Sequence, residues 1–208
     1  LAPAYQYVAD TSVADRYGHQ LGHAAYSTLL GMYPAGHRLE YVKPIESGAP
    51  LAYWEPRPYK IPKESRIESE TVGLPSKDWP GVEELDKQLA AESDFRIKER
   101  LLRKKTIANF TQGKGAIPTQ IFAWRFGNLV FVGISCEIDV AWQQEVRAAF
   151  PGYGVVAITD VNYSAIGYIV REELCDHNLY QAWQPPYGKG SFTSIVENCV
   201  RLMKKTLN

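Results

Sequence analysis

The chain has 208 residues, 45% of them hydrophobic, with 23 basic and 23 acidic side chains. That length and apolar content suffice for one domain with a real core, and a balanced charge gives no steering toward nucleic acid or an anionic membrane surface. No apolar run approaches the roughly 18 residues of a membrane-spanning helix. Cys136, Cys175 and Cys199 lack metal-ligand spacing, and their odd number excludes a full disulfide framework, leaving all reduced or one pair and one free thiol. The chain opens at Leu1-Ala2-Pro3 without a methionine, as a processed polypeptide would, after a short apolar-aromatic lead-in to Thr11.

Thr11 or Ser12 is placed to cap a first helix, and Val13, Tyr17, Leu21, Ala24 and Thr28 recur at steps of three and four up to Gly31. His19 and His23 share the face opposite that stripe. Their spacing suits a metal, but no Glu follows His19 as a metalloprotease signature demands, so a solvated or interface helix is expected. Prolines 44, 50, 56, 58 and 62 exclude helix from residues 38–64, leaving an irregular segment with edge-strand pieces at 39–43 and 58–62. Tyr53, Trp54 and Tyr59 are expected to pack this segment down, and residues 66–80 read as a polar linker or loop.

Residues 81–110 form the longest helical pattern, interrupted at Ser93-Asp94. Val82, Leu85 and Leu89 make one stripe, continued by Leu101, Leu102 and Ile107. Lys98, Arg100, Arg103, Lys104 and Lys105 make the second half basic, while Glu83, Glu84, Asp86 and Glu92 balance it in the first, so a solvated face is expected. Gln112-Gly113-Lys114-Gly115 ends the pattern without the spacing of a phosphate loop.

The centre of the chain is residues 117–180. Gly127-Asn128 is a two-residue turn signal between runs 120–126 and 129–134, which predicts a hairpin whose second strand is buried on both faces. That strand delivers Ser135-Cys136-Glu137 to a helical pattern through Val140, Val146 and Ala149, stopped at Phe150-Pro151-Gly152. A third strand-like run, 155–159, ends at Asp160-Val161-Asn162, and Gly167-Tyr168 follows with Arg171-Glu172-Glu173. Strand, carboxylate, helix and strand predict an α/β fold, a mixed sheet flanked by helices with chemistry at the strand ends. Glu137 at the mouth of a buried strand needs a cation, a metal or hydrogen-bond donors; the alternative is a first-turn helix acid. Residues 183–190 read as an aromatic and proline-rich loop, after which Ser191 or Thr193 caps a closing helix over 194–207.

Gly133-Ile134-Ser135-Cys136-Glu137, then Gly167-Tyr168-Ile169-Val170-Arg171-Glu172-Glu173, resemble the neutral/alkaline ceramidase family over roughly the last 90 residues. The family's usual forms are Gly-Val-Pro-Gly-Glu and Gly-Tyr-Val/Ile-Thr-Arg-Glu. Here Ser135-Cys136 replaces Pro-Gly, Val170 replaces Thr, and Gln181 follows Tyr180 where the family has Glu. The resemblance implies the C-terminal half of a larger catalytic domain, hydrolysing an N-acyl amide with zinc. It implies Glu137 and Tyr168 as metal ligands and Tyr180 as the active-site tyrosine that donates toward a developing oxyanion. The family's two histidine ligands lie in an N-terminal half that has no counterpart here, so a second polypeptide is expected to carry them. A small-molecule or lipid amide is the implied substrate, and a secreted or periplasmic setting is favoured over others. Two alternatives remain at this level: an interaction subunit that keeps the fold without metal, and a reactive thiol at Cys136.

Overall fold

The computed structural model describes residue 5 and residues 8–111, 114–161 and 167–208. Parts of the lead-in (1–4, 6, 7), Gln112-Gly113 and Asn162 lie outside the described residues. Two compact units are formed, Leu1–Ile61 and Pro62–Asn208.

In the first unit α1 spans Thr11–Leu30, and its cap is Asp10, whose carboxylate accepts from Ser12 N at 2.9 Å, so neither Thr11 nor Ser12 fills that position. The segment expected to be irregular is instead a hairpin, β1 (His37–Glu46) paired antiparallel with β2 (Pro50–Pro58), with a bulge between Tyr41 and Lys43. A two-stranded ribbon has only edges, so prolines can turn their missing N–H outward. Tyr41 and Trp54 are register partners whose rings meet edge-on at 5.7 Å, and both are exposed, so they do not pack a loop down.

The second unit is the expected α/β fold: a mixed four-stranded sheet in the order β3-β4-β5-β7, flanked by helices. Its strands are β3 (Ser65–Pro75), β4 (Ala116–Phe126), β5 (Leu129–Ile134) and β7 (Gly154–Ile158). The first three pair antiparallel, and β7 joins β5 in parallel. The β4–β5 hairpin forms around Gly127, whose φ of 60° and close approach to Pro62 O favour glycine. β3 corrects the polar-linker expectation for residues 66–80. Its inward positions include Glu68 and Glu70, so no apolar alternation marked it, and Arg201 grips Glu70 through two hydrogen bonds of 2.9 and 2.7 Å.

One sheet face is buried. Ile121, Ala123, Val130, Val132, Ile134 and Val155 lie there with Trp142 and Val146 of α4 (Ala141–Ala148) and with Phe192, Ile195, Cys199 and Leu202 of α6 (Ser191–Lys205), forming the main core. α6 begins at Ser191, and its cap is Gly190 at φ 85°, not Ser191 or Thr193. The other face is apolar and open: the cross-strand row Ile67, Trp124, Phe131, Val156 runs over all four strands, with Phe126, Leu129 and Ile158 beside it. Thus β5 is buried on both faces only toward its end; Leu129 is exposed.

The long helical pattern is two helices, α2 (Val82–Ala91) and α3 (Phe95–Thr111), broken as expected at Ser93-Asp94. The Asp94 carboxylate accepts from Arg96 N at 2.7 Å and so starts α3. Leu85, Leu101 and Ala108 form their shared core, whereas Leu102 is exposed.

Candidate functional site

Beyond β5 the chain keeps its direction. Ser135 N donates to Gln120 O at 3.0 Å, and Ser135 Oγ accepts from Gln120 N at 3.0 Å. A proline could make neither bond, so the serine extends the β4–β5 ladder. Cys136 turns fully inward, and Glu137 emerges on β6 (Glu137–Ile138), a strand and not a helix first turn. β6 pairs in parallel with β8 (Tyr168–Ile169), Glu137 opposite Tyr168. Partners in register project on the same face, so the carboxylate and the phenol are neighbours although 31 residues separate them in the chain.

Both flanks fix this pair. Glu137 N donates to Gly167 O at 3.3 Å and Asp139 N to Ile169 O at 3.0 Å. The Asp139 carboxylate accepts from Arg171 Nε at 3.2 Å and from Ala141 N at 2.9 Å, so one acid ties β6 to the segment after β8 and starts α4. Gly167, at φ 96°, has Gln184 Oε1 2.6 Å from where a Cβ would lie. Glu172 accepts from Thr193 N and Oγ1, holding the start of α6. The Arg171-Glu172-Glu173 cluster is therefore the clamp beneath the pair.

Tyr180 arrives from α5 (Tyr180–Trp183), which packs on β8. Its ring meets Tyr168 edge-on at 5.7 Å and Trp183 edge-on at 5.3 Å. Arg103 Nη1 of α3 donates to Tyr180 Oη at 3.2 Å, which leaves the phenol's own proton free to be donated. Lys77, just past β3, donates to Ala182 O at 2.7 Å and Trp183 O at 3.4 Å, holding the end of α5. Burial pulls the Lys77 ammonium down from 10.5 to about 8, with nearby Lys104 a second cause. Burial first, and then the charge of Glu137, raise the Tyr168 phenol above its ordinary range. A cavity of about 110 Å³ adjoins Tyr168, with Lys77, Cys175, Gln181, Tyr187 and Lys189 in its wall.

The three residues singled out in the sequence thus stand together. His19 and His23 are exposed on α1, and His37 and His177 are exposed elsewhere. Among the described residues, no group of three or more His, Cys, Asp or Glu is placed to hold a metal ion. All three cysteines are free. The Cys136 thiol is fully buried and pushed far up by burial, with Cys199, Asp160 and Glu137 adding to it, which removes the reactive-thiol alternative at this position. Sequence reasoning missed Lys77 and the contact of Arg103 with Tyr180. Each acts across 77 residues or more, and no local pattern encodes that.

No family model matches the chain, and no curated protein matches it. Among solved structures, it is similar to the crystal structure of neutral ceramidase from Pseudomonas aeruginosa, at 16% identity and a TM-score of 0.45 over 71% of this chain. It is also similar to a structure of ceramidase complexed with C2, at 22% identity and a TM-score of 0.35 over 43% of this chain. The chain spans 29% and 14% of those two chains.

Proposed function

We propose that the chain supplies part of the active site of a zinc-dependent hydrolase acting on a linear N-acyl amide, with Glu137 and Tyr168 as two metal ligands and Tyr180 as a hydrogen-bond donor to the developing oxyanion. The observation that carries this is the in-register placement of Glu137 beside Tyr168, with Tyr180 against it. The motif resemblance picks out the same three residues.

The donor set suits half of a zinc site. Carboxylate and phenol oxygens are hard ligands, zinc takes four donors, and a catalytic site keeps one position open. One imidazole, or two in a five-coordinate site, must therefore complete it, and a second polypeptide is their proposed source. The open sheet face supports such a partner, because contiguous exposed apolar surface on a soluble protein marks an interaction site. Bound zinc would supply Lewis acidity toward an amide carbonyl and a water that is acidic near neutral pH.

The chain's own residues then have separate tasks. Glu137 contributes charge to hold the cation, and the Asp139–Arg171 pair fixes the strand on which it stands. Tyr180 Oη accepts from Arg103, so its hydrogen is available to the oxygen that gains charge as the amide carbonyl is attacked. Lys77 holds the short helix that presents Tyr180.

Hydrolysis of an N-acyl amide by the zinc-loaded complex, for wild type and Tyr180→Phe, tests the assignment. A loss of roughly 10²–10³-fold in kcat with little change in KM is expected for a missing oxyanion donor. Unchanged turnover in the variant would remove Tyr180 from the reaction. Absence of both metal and hydrolysis in the assembled complex would leave the second reading, an interaction subunit built on this fold.

A further inference from the structure

Beside Tyr180 lies an open groove of about 350 Å³ whose walls are Phe95, Arg96, Glu99, Arg100 and Arg103 of α3 with Tyr180 and Trp183 of α5. Positions 96, 100 and 103 are spaced four and three apart, so their guanidiniums share one face of α3. Arg100 and Arg103 are positioned, not merely extended into water. Arg100 stacks 3.9 Å from the centre of the Trp183 ring and donates to Asn178 Oδ1 at 3.4 Å, and Arg103 reaches Tyr180 Oη. Three guanidiniums face one carboxylate, Glu99, which approaches Arg103 Nε only to 3.8 Å. Among the described residues, Arg96 and Arg100 form no ion pair within 4.0 Å.

We infer that this groove binds an oxyanion carried by the substrate, so that the amide it accepts belongs to an anionic N-acyl compound, with a carboxylate or phosphate beyond the scissile bond. The planar fork of arginine matches carboxylate and phosphate geometry, and the stacking of Arg100 on Trp183 pre-orients one of the forks. Phe95, Tyr180 and Trp183 supply apolar wall for the carbon chain next to the anion. Charge complementarity favours the class: an anionic amide gives Arg96 and Arg100 a partner in place of water, and a neutral amide does not. The inference rests on the proposed role of Tyr180, since the same side chain forms the wall of the groove and faces Tyr168.

Direct binding to the full chain, without metal, separates this subsite from the reaction. N-octanoylglycine, N-octanoylethanolamine and octyl phosphate share a chain length and differ in headgroup charge. Their affinities are read by calorimetry and by quenching of tryptophan fluorescence. N-octanoylglycine should bind at least about 10-fold more tightly than N-octanoylethanolamine, and the Arg96→Gln/Arg100→Gln double variant should lose that preference while keeping the wild-type circular dichroism. Tight binding of octyl phosphate alone, lost in the same variant, would support the oxyanion subsite with phosphate as its ligand. Equal affinity for the charged and neutral amides, a preference that survives in the double variant, or no binding of any probe would each overturn the inference. All of these are read on the chain without metal, so failure here and failure of the metal site are distinguishable.

Discussion

Replacing Lys77 with methionine perturbs the support of Tyr180 and has a signature in pH. The Lys77 ammonium is half-buried and donates to the carbonyl of buried Ala182, and its pKa falls from 10.5 to about 8. A fall of about 2.5 pH units at about 1.36 kcal/mol each gives an upper figure of about 3.4 kcal/mol, and solvent screening of a half-buried group reduces it to about 1–2 kcal/mol. The folded pKa lies below the unfolded one, so between about pH 8 and 10.5 the unfolded chain holds the proton and the folded chain does not. Stability contributed by this group therefore rises with pH across that window and is at its lowest below pH 8. Lys77→Met removes the cost of burying the charge but leaves the Ala182 carbonyl without its donor, a loss of about 1–3 kcal/mol. Near pH 7 the two effects largely offset each other. By pH 10 wild type should have gained about 1–2 kcal/mol over the variant. Urea unfolding of both proteins at pH 7, 8, 9 and 10, followed by far-ultraviolet circular dichroism, reads this as a double difference in which the titrations of tyrosines and other lysines cancel. A difference that is flat or falls with pH would refute the reasoning.

Other perturbations have simpler readouts. Ile134→Ala, at the fully buried end of β5 under the site, should cost about 2–5 kcal/mol by denaturant titration. Gly127→Ala forces a side chain into φ 60° with its Cβ 2.7 Å from Pro62 O, and should cost about 1–3 kcal/mol, seen as a lower Tm. Iodoacetamide at pH 8 should label the folded protein at Cys175 first, since Cys136 and Cys199 are buried and the Cys199 thiol is pushed up to about 12 by burial. Rapid labelling of Cys136, located by peptide mass spectrometry, would contradict the packing around it.

The elements that sequence made legible are those whose burial is written locally. The runs 120–126, 129–134 and 155–159 are mostly apolar because one face of the sheet is buried and the other is apolar as well, and α6 carries Ile195, Cys199 and Met203 at helical spacing. β3 escaped because its inward face carries Glu68 and Glu70, the first paired with Arg66 of the same strand and the second with Arg201 and Lys205 from a helix more than 130 residues away. The β1–β2 hairpin escaped because its prolines obey the rules of a two-stranded edge, not those of a central strand. At the site, motif resemblance singled out Glu137 and Tyr168, but their register pairing is a tertiary fact. Trp142, fully buried in the first turn of α4, was passed over for Val140, which is exposed, because an eight-residue helix gives too little periodicity to choose between them.

The proposed zinc site takes Glu137 and Tyr168 from this chain. Elemental analysis of the protein, purified together with the polypeptide that completes it, tests this most directly when wild type and Glu137→Ala are compared. About one zinc per complex in wild type, lost in a variant that keeps its fold and its partner, is expected. A homogeneous, folded wild-type complex without zinc, or a variant that retains it in full, would contradict it.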